Sequence, residues 1–260
     1  EIRLSLVGSE DVYKRQAIYH RILLLANIHP AVTGFCPGKS VSDNARVHLG
    51  RKNVLKVDLH DFFPSIRSPR VRAAFREMGY SRSIAKVLAE LCCLRCCLPQ
   101  GAPTSPALSN IIAYPMDKKM MALAGEYGLV YTRYADDLTF SGDYLPKDEV
   151  LVRIHRIIRE EGFTMNVKKT RFLSEHKRKI ITGVSVSSGK KMTLPKVKKR
   201  EIRKNVHYVL TKGLVGHQEH IGSTDPVYLK RLLGSLCYWH SIEPDNRYVS
   251  DSITALKRLM

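Results

Sequence analysis

Residues 128–142, GLVYTRYADDLTFSG, constrain the fold more than any other stretch. Val130, Thr132 and Tyr134 alternate with Tyr131 and Arg133 on the way in; Leu138 and Phe140 alternate with Thr139 and Ser141 on the way out. A period of two in β-branched and aromatic residues spells two short strands around a tight turn. That turn carries two adjacent carboxylates, Asp136 and Asp137. Side by side in an otherwise apolar hairpin they repel each other, and a bound cation is the simplest relief. Aspartate is also a common turn residue, so a solvated Asp-Asp turn reads equally well from the hairpin alone.

A third carboxylate shifts that balance. Asp58 closes a separate apolar strand, Asn53 to Asp58, in which Val54, Leu55 and Val57 are apolar. Acids at two neighbouring strand ends can hold two Mg²⁺ ions roughly 4 Å apart. Mg²⁺ takes hard oxygen ligands and keeps substrate phosphates among them, and the Leu59 carbonyl is a plausible additional ligand. Such a site would lower the pKa of a primer hydroxyl on one ion and hold a triphosphate on the other. Positioning and charge neutralisation then do the work without a nucleophilic side chain.

In motif order the chain resembles reverse transcriptases. An Asp-x-x-x-x-Phe strand end (Asp58 to Phe63) is followed by Leu98-Pro99-Gln100-Gly101, then Tyr134-Ala135-Asp136-Asp137, then a Gly-x-x-x-Asn-x-x-Lys-Thr-like block from Gly162 to Thr170. Within that family it resembles the bacterial retron type. Asn44-Ala45-Arg46-Val47-His48 matches the retron Asn-Ala-x-x-His element, and Gln100 to Pro106 matches the retron loop. Ile181-Thr182-Gly183 stands where Val-Thr-Gly is usual.

The resemblance implies an α+β right-hand polymerase: fingers, a palm with a small antiparallel sheet, and a helical thumb. It implies Mg²⁺-dependent, RNA-templated addition of deoxynucleotides to a 3′ or 2′ hydroxyl. The partners would be a structured noncoding RNA, deoxynucleoside triphosphates and an effector protein, in anti-phage defence in the cytoplasm. A group II intron or diversity-generating reverse transcriptase is the alternative within the family, and a non-catalytic RNA-binding relative the alternative outside it. Asp58, Asp136 and Asp137 take the metal-binding role. Phe63 falls where the family places an aromatic gate against a ribose 2′-hydroxyl, a core Phe being the other reading. Gln100 and Gly101 match the loop that admits nucleotide and template. Lys168 or Lys169 protonates pyrophosphate or binds phosphate. Tyr134 packs near the primer end, and Lys39 touches template or triphosphate or is simply solvated. The RNA-binding candidates are Asn44, His48, Thr182, Gly183, Lys196, Lys198, Lys199, Arg200, Arg203 and Lys204. For Asn44 and His48, capping and core hydrogen bonding read equally well.

Composition agrees with a polyanionic partner: Lys+Arg outnumber Asp+Glu 43 to 24, a net charge of +19. From Lys168 to Lys204 there are 14 Lys/Arg against 2 acids, Glu175 and Glu201. No run of 18 apolar residues is present, so no membrane span is expected. Among the six cysteines, the CCLRCC run has no second Cys/His pair at zinc-finger distance and reads as buried thiols at a helix end, in a reducing compartment.

The expected domains are 1–16, 17–195 and 196–260. The first, EIRLSLVGSEDVYKRQ, begins with Glu, has no clear periodicity and resembles translated adapter sequence, so it is expected to be foreign or disordered. The second holds fingers and palm, with fingers truncated at their N-terminal side, and the third is a basic helical thumb. Helices are expected from Ala17 to Pro30, after a Ser42 or Asp43 cap, over Pro69–Met78, Ser81–Cys97 and Ala107–Ala124, and over Lys147–Glu161, where Val150, Leu151, Ile154, Ile157 and Ile158 line one side. A second hairpin is expected from Ile180 to Leu194 around Ser187-Ser188-Gly189-Lys190.

Overall fold

The alternation read from residues 130–142 becomes a ladder. In the computed structural model, which describes residues 9–260, β2 (Val130–Tyr134) and β3 (Asp137–Gly142) pair antiparallel across the Ala135-Asp136 turn. β1 (Asn53–Asp58) lies antiparallel on the other edge of β3, and β4 (Arg171–Leu173) lies antiparallel to β1. The sheet order is β2-β3-β1-β4. Because side chains alternate across a strand, the register sorts them by face. Leu55, Val57, Leu138, Phe140 and Tyr131 form one face and are buried, with the Tyr131 and Phe140 rings 4.8 Å apart. Full burial of each large apolar side chain is worth about 1.5–3 kcal/mol. Asp58, Asp137, Thr139, Ser141, Thr132 and Tyr134 fall on the opposite face.

Helices cover the sheet. They run, in chain order, α1 (Ser9–Arg21), α2 (Val41–Arg46), α3 (Phe62–Ser65), α4 (Ser68–Glu77), α5 (Arg82–Cys92), α6 (Ser105–Ile112), α7 (Tyr114–Glu126) and α8 (Lys147–Glu160). α8 buries Val150, Ile154 and Ile158 at helical spacing, as its sequence predicts. Four expectations about the helices are corrected. Helix α1 starts at Ser9, not Ala17, so residues 9–16 are helical, and Arg15 among them is buried, its Nε donating to the Leu91 carbonyl at 2.8 Å. The rest of the expected foreign segment, 1–8, lies outside the described residues. Helix α2 is capped by Ser40, whose side chain accepts from the Asp43 N–H while the Asp43 carboxylate accepts from the Ser40 N–H. Helix α5 stops at Cys92 because Leu94 and Cys97 exchange two backbone hydrogen bonds (2.9 and 3.1 Å) around Arg95-Cys96, turning the chain to bury Leu98. The helix expected over Ala107–Ala124 breaks at Ala113, where Pro115 starts the next one: it has no N–H to continue the first. No cysteine forms a disulfide, and burial pushes the Cys92 thiol up to about 12 and Cys93 up to about 11. Cys92 is the buried thiol of the run; Cys93 and Cys97 are half-buried and Cys96 is exposed where the chain turns, so the expectation of buried thiols throughout is corrected.

The chain forms two compact units, one ending at Lys177 and one spanning Arg178–Met260. The division falls ahead of the expected boundary at 195, so the second hairpin belongs with the C-terminal helices. Its expected first strand is corrected: it folds on itself as β5 (Ile180–Ile181) and β6 (Val184–Ser185), reversing at Thr182-Gly183 with φ of 46° and 82°. The expected turn at Ser187–Lys190 brings Thr193 back to Ser185 as a further bridge. α9 (Lys196–His220), broken at Gly213, packs with α10 (Tyr228–Ile242) and α11 (Arg247–Lys257) around Trp239, Leu236, Val206, Val249 and Leu256. Among the described residues, no helix is long and apolar enough to cross a membrane.

Candidate active site

The register of β1 against β3 sets Asp58 directly across from Asp137. The Leu59 N–H donates to the Asp136 carbonyl at 3.0 Å, tying the end of β1 to the turn. On the other side, the Asn166 N–H donates to the Asp58 carbonyl (2.8 Å) and the His60 N–H to Thr164 (2.8 Å), which brings in the 162–170 block. Asp58 and the sequence-distant pair Asp136-Asp137 thus converge. Asp58 is 7% exposed; its Oδ2 accepts from Lys169 Nζ at 3.1 Å, and its buried Oδ1 has no hydrogen-bond partner. Burial, and then the charges of Asp58 and Asp137, raise the Asp136 carboxyl above its ordinary value. The Asp58 hydrogen bond raises Lys169.

The donor set fits a hard divalent cation: clustered carboxylate oxygens, one buried and unpartnered, beside a carboxyl whose charge is disfavoured without a counter-ion. Among the described residues, no three His, Cys, Asp or Glu side chains form a ready-made cage for one ion.

Sequence reasoning missed what holds the turn. Arg133 stands at a core-facing position of β2 and is fully buried. Its Nε and Nη2 donate to the two carboxylate oxygens of Asp117 on α7 (2.8 and 2.7 Å), and its Nη1 to Asn110 Oδ1 (3.1 Å) and the Ala135 carbonyl (3.0 Å). Ala135 has a φ of 56°, left-handed and rare for a residue with a Cβ. The bond to its carbonyl fixes that conformation and with it the position of Asp136. Burial first, then the Asp117 charge, hold the Tyr131 phenol well above its ordinary value, so it donates to Asp117 at 2.7 Å. The signal in the sequence was an arginine in step with Tyr131 on the inward face, which demands a buried acid.

Residues 31–36 brace the same turn. The Arg133 N–H donates to Ala31 and the Thr33 N–H to the Arg133 carbonyl, both at 3.0 Å. Lys39, considered for template or triphosphate, donates Nζ to the Pro30 and Val32 carbonyls at 3.0 and 2.8 Å and secures this loop instead. Phe63 is half-buried, 5.6 Å from Phe62 and 6.1 Å from Phe35, while Phe62 is the core ring. Gln100 and Gly101 are exposed, and the φ of 85° at Gly101 calls for glycine. Lys169, not Lys168, reaches the carboxylates.

Two RNA-binding assignments are overturned by burial. His48 is fully buried on the polar face of the sheet, with Nδ1 2.6 Å from Ser141 Oγ and Nε2 2.8 Å from Thr132 Oγ1. Asn44 is 1% exposed and accepts from Thr33 Oγ1 at 2.8 Å. Both side chains are turned inward: His48 ties the residues after α2 to β2 and β3, and Asn44 ties α2 to Thr33 of the 31–36 loop. Burial pushes His48 down to about 3, so it is neutral when folded. The unfolded imidazole takes a proton below about 6.5, so stability falls as pH drops from about 6.5 toward 3, by up to about 1.4 kcal/mol per pH unit. Urea unfolding at pH 7 and pH 5 should show this loss in the wild type and a flatter dependence in His48→Gln; equal slopes would remove the assignment.

In the second unit, Thr182 and Gly183 form an outer turn, with Gly183 close to the Tyr238 hydroxyl. Lys199 is not free for RNA: its ammonium is 2.7 Å from Glu243 and lies over Trp239. Burial opposes ionisation of Glu243, but Lys199 and the Leu194 N–H hold its carboxyl below the ordinary value. Arg203 lies 5.3 Å from Trp239 and 5.2 Å from Tyr248, ring centroid to guanidinium. Lys198 pairs with Glu201 at 3.0 Å while remaining exposed, as are Lys196, Arg200 and Lys204.

Comparison with known proteins follows the same lines. Residues 6–208 match the reverse transcriptase (RNA-dependent DNA polymerase) family. The Retron Ec86 reverse transcriptase of Escherichia coli is 37% identical over 206 residues, covering 78% of this chain and 63% of that protein. The Retron Mx65 reverse transcriptase of Myxococcus xanthus is 36% identical over 254 residues, covering 88% of this chain and 56% of that protein. The chain therefore spans roughly three fifths of the length of these relatives. A solved apo telomerase from Candida tropicalis aligns over 68% of this chain and 42% of its own, at 12% identity and a TM-score of 0.46. With the family match covering most of its length and its three aspartates converging at one strand end, the chain belongs to the reverse transcriptase family.

Proposed function

We propose that this chain is the polymerase core of a retron-type, RNA-directed DNA polymerase. It extends a primer hydroxyl with deoxynucleotides on a structured noncoding RNA, in the cytoplasm. The observation that carries the reading is Asp58 in register with Asp137 beside Asp136, with the buried Asp58 Oδ1 unpartnered. Asp58, Asp136, Asp137 and the Leu59 carbonyl would hold two Mg²⁺ ions. Bound there, Mg²⁺ supplies positive charge that lowers the pKa of the attacking hydroxyl and neutralises the triphosphate.

The chain's own groups do the rest. Lys169, exposed and already drawn to the carboxylates, binds a phosphate or gives a proton to the departing pyrophosphate. The Phe63 ring stands five residues past Asp58 and would oppose a ribose 2′-hydroxyl. Gln100 and Gly101 present an open loop to nucleotide and template. The test is extension of an annealed primer on an RNA template with deoxynucleotides and Mg²⁺. Template-directed incorporation is expected, and its absence from folded protein overturns the assignment.

For RNA binding, the exposed Lys196, Arg200 and Lys204 on α9, which pair with no acid among the described residues, are candidate phosphate contacts, beside the exposed Lys198 and Arg203 of the same helix. Charge reversal of all three should weaken binding to structured RNA and lower the slope of log affinity against log salt by roughly 0.7–0.9 per lost phosphate contact. An unchanged slope would remove α9 from the interface.

A further inference from the structure

Phe35 is an oddity that the motif reading leaves unused. It is 41% exposed, yet its backbone takes the left-handed conformation, with φ of 61°. A bulky residue at positive φ costs on the order of 1–3 kcal/mol and persists only where its surroundings enforce it. Here both sides do. A Cβ on Gly34 would lie 2.6 Å from the Ala135 nitrogen and 3.0 Å from Tyr134 Cα, so Gly34 presses directly on the catalytic turn. The Gly34 carbonyl accepts from Asn110 Nδ2 at 2.9 Å, and Thr33 is bonded to the Arg133 carbonyl.

The enforced conformation aims the ring at two others. Phe35 lies 6.1 Å from Phe63 and 6.3 Å from Tyr134, centroid to centroid, with tilted planes. Phe63 and Tyr134 are both half-buried. Tyr134 immediately precedes the Ala135-Asp136 turn, and Phe63 belongs to the helical turn after Asp58. Phe35 therefore joins two rings carried by the segments that bear Asp58 and Asp136. The inner side of Phe63 is backed by Phe62, which is fixed in the core beside Phe163 at 5.5 Å. Phe35 closes its outer side. Without it, Phe63 keeps its contact with Phe62 but loses the Phe35 ring, and a half-buried ring with fewer neighbours is held less firmly in one rotamer.

We infer that Phe35 is a positioning residue for nucleotide selection: it fixes the Phe63 ring so that the sugar of an incoming nucleotide meets a rigid wall. The inference rests on the proposed polymerase reading and extends it. It predicts that strain at residue 35 is tolerated because it places an aromatic face on Phe63, so ring identity matters more than exposure suggests.

The experiment measures kcat/KM for single additions of a deoxynucleotide and of the matching ribonucleotide, in wild type, Phe35→Ala, Phe35→Tyr, Phe63→Ala and the double variant. Phe63→Ala should lose most of the preference for the deoxynucleotide. Phe35→Ala should lose it by roughly 10-fold, the scale of a pocket-wall change. Phe35→Tyr, which keeps the ring, should restore it, and the double variant should match Phe63→Ala, since one residue acts through the other. A general structural defect would lower both rates together and leave their ratio unchanged. If Phe63→Ala changes the ratio and Phe35→Ala leaves it within twofold, or if the two effects multiply in the double variant, the inference is wrong while the polymerase reading stands. If neither variant changes the ratio, Phe63 is not a gate and the inference falls with it. If wild type adds neither nucleotide, the polymerase reading itself has failed.

Discussion

Asp136→Asn is expected to abolish templated synthesis, by at least about 100-fold, while its thermal midpoint stays level or rises. The two outcomes share one cause. Burial, with Asp58 and Asp137 close by, raises the Asp136 carboxyl above the ordinary 3.8. The folded state then holds that proton more tightly than the unfolded chain. Stability contributed by the protonated form is lost as pH rises from about 3.8 through the raised value. At neutral pH the ionised carboxylate is a cost that folding bears for the sake of the site. Asparagine keeps the shape and removes the charge, so it relieves the repulsion while deleting an anionic ligand. A second readout separates ligand loss from a folding defect: Mg²⁺ should raise the midpoint of the wild type more than that of the variant. Full activity in Asp136→Asn, or a midpoint several degrees lower, would contradict this account.

Arg133→Met should produce the largest change in stability. It leaves the Asp117 carboxylate, fully buried, with Tyr131 as its remaining strong donor and no counter-charge. Breaking a buried pair from one side costs about 3–5 kcal/mol, on the order of 10 °C in midpoint for a domain of this size. Replacing both partners, Arg133→Met with Asp117→Leu, should recover much of that loss, because no unpaired charge is then left inside. By contrast Lys169→Ala removes a largely exposed ammonium that water can replace at Asp58 Oδ2, so its cost should be clearly smaller than that of Arg133→Met. Chemical unfolding of the four proteins checks the set. A cost for Arg133→Met as small as that for Lys169→Ala would show that the Asp117 network does not hold the hairpin.

Much of the site was legible because its signals are local. Alternation from Val130 to Ser141 specified two strands, and the Asp58 strand end was read with the bounds it has in the fold. The spacing of Val150, Ile154 and Ile158 specified α8 and its buried side. Where reading failed, the deciding contact lay far along the chain. Asn44 and His48 carry a motif that could serve ligand or core; only the sheet face formed by Thr132 and Ser141, with Asn44 meeting Thr33, made them core. Lys199 looked like any lysine in a basic run until Glu243 stood beside it. The end of α5 was hidden because Arg95 and Cys96 are poor turn residues, forced left-handed by the need to bury Leu98.

By itself the sequence determined the periodic elements, the acids at their ends and the family, since backbone preference and motif order need no partner to be read. The tertiary structure alone decided which edges pair, so that Asp58 faces Asp137, which charges are consumed inside, and that Phe35 reaches Phe63. Those outcomes depend on which distant group fills a side chain's surroundings, and burial energy, being non-directional, leaves no mark of that choice in any local stretch of residues.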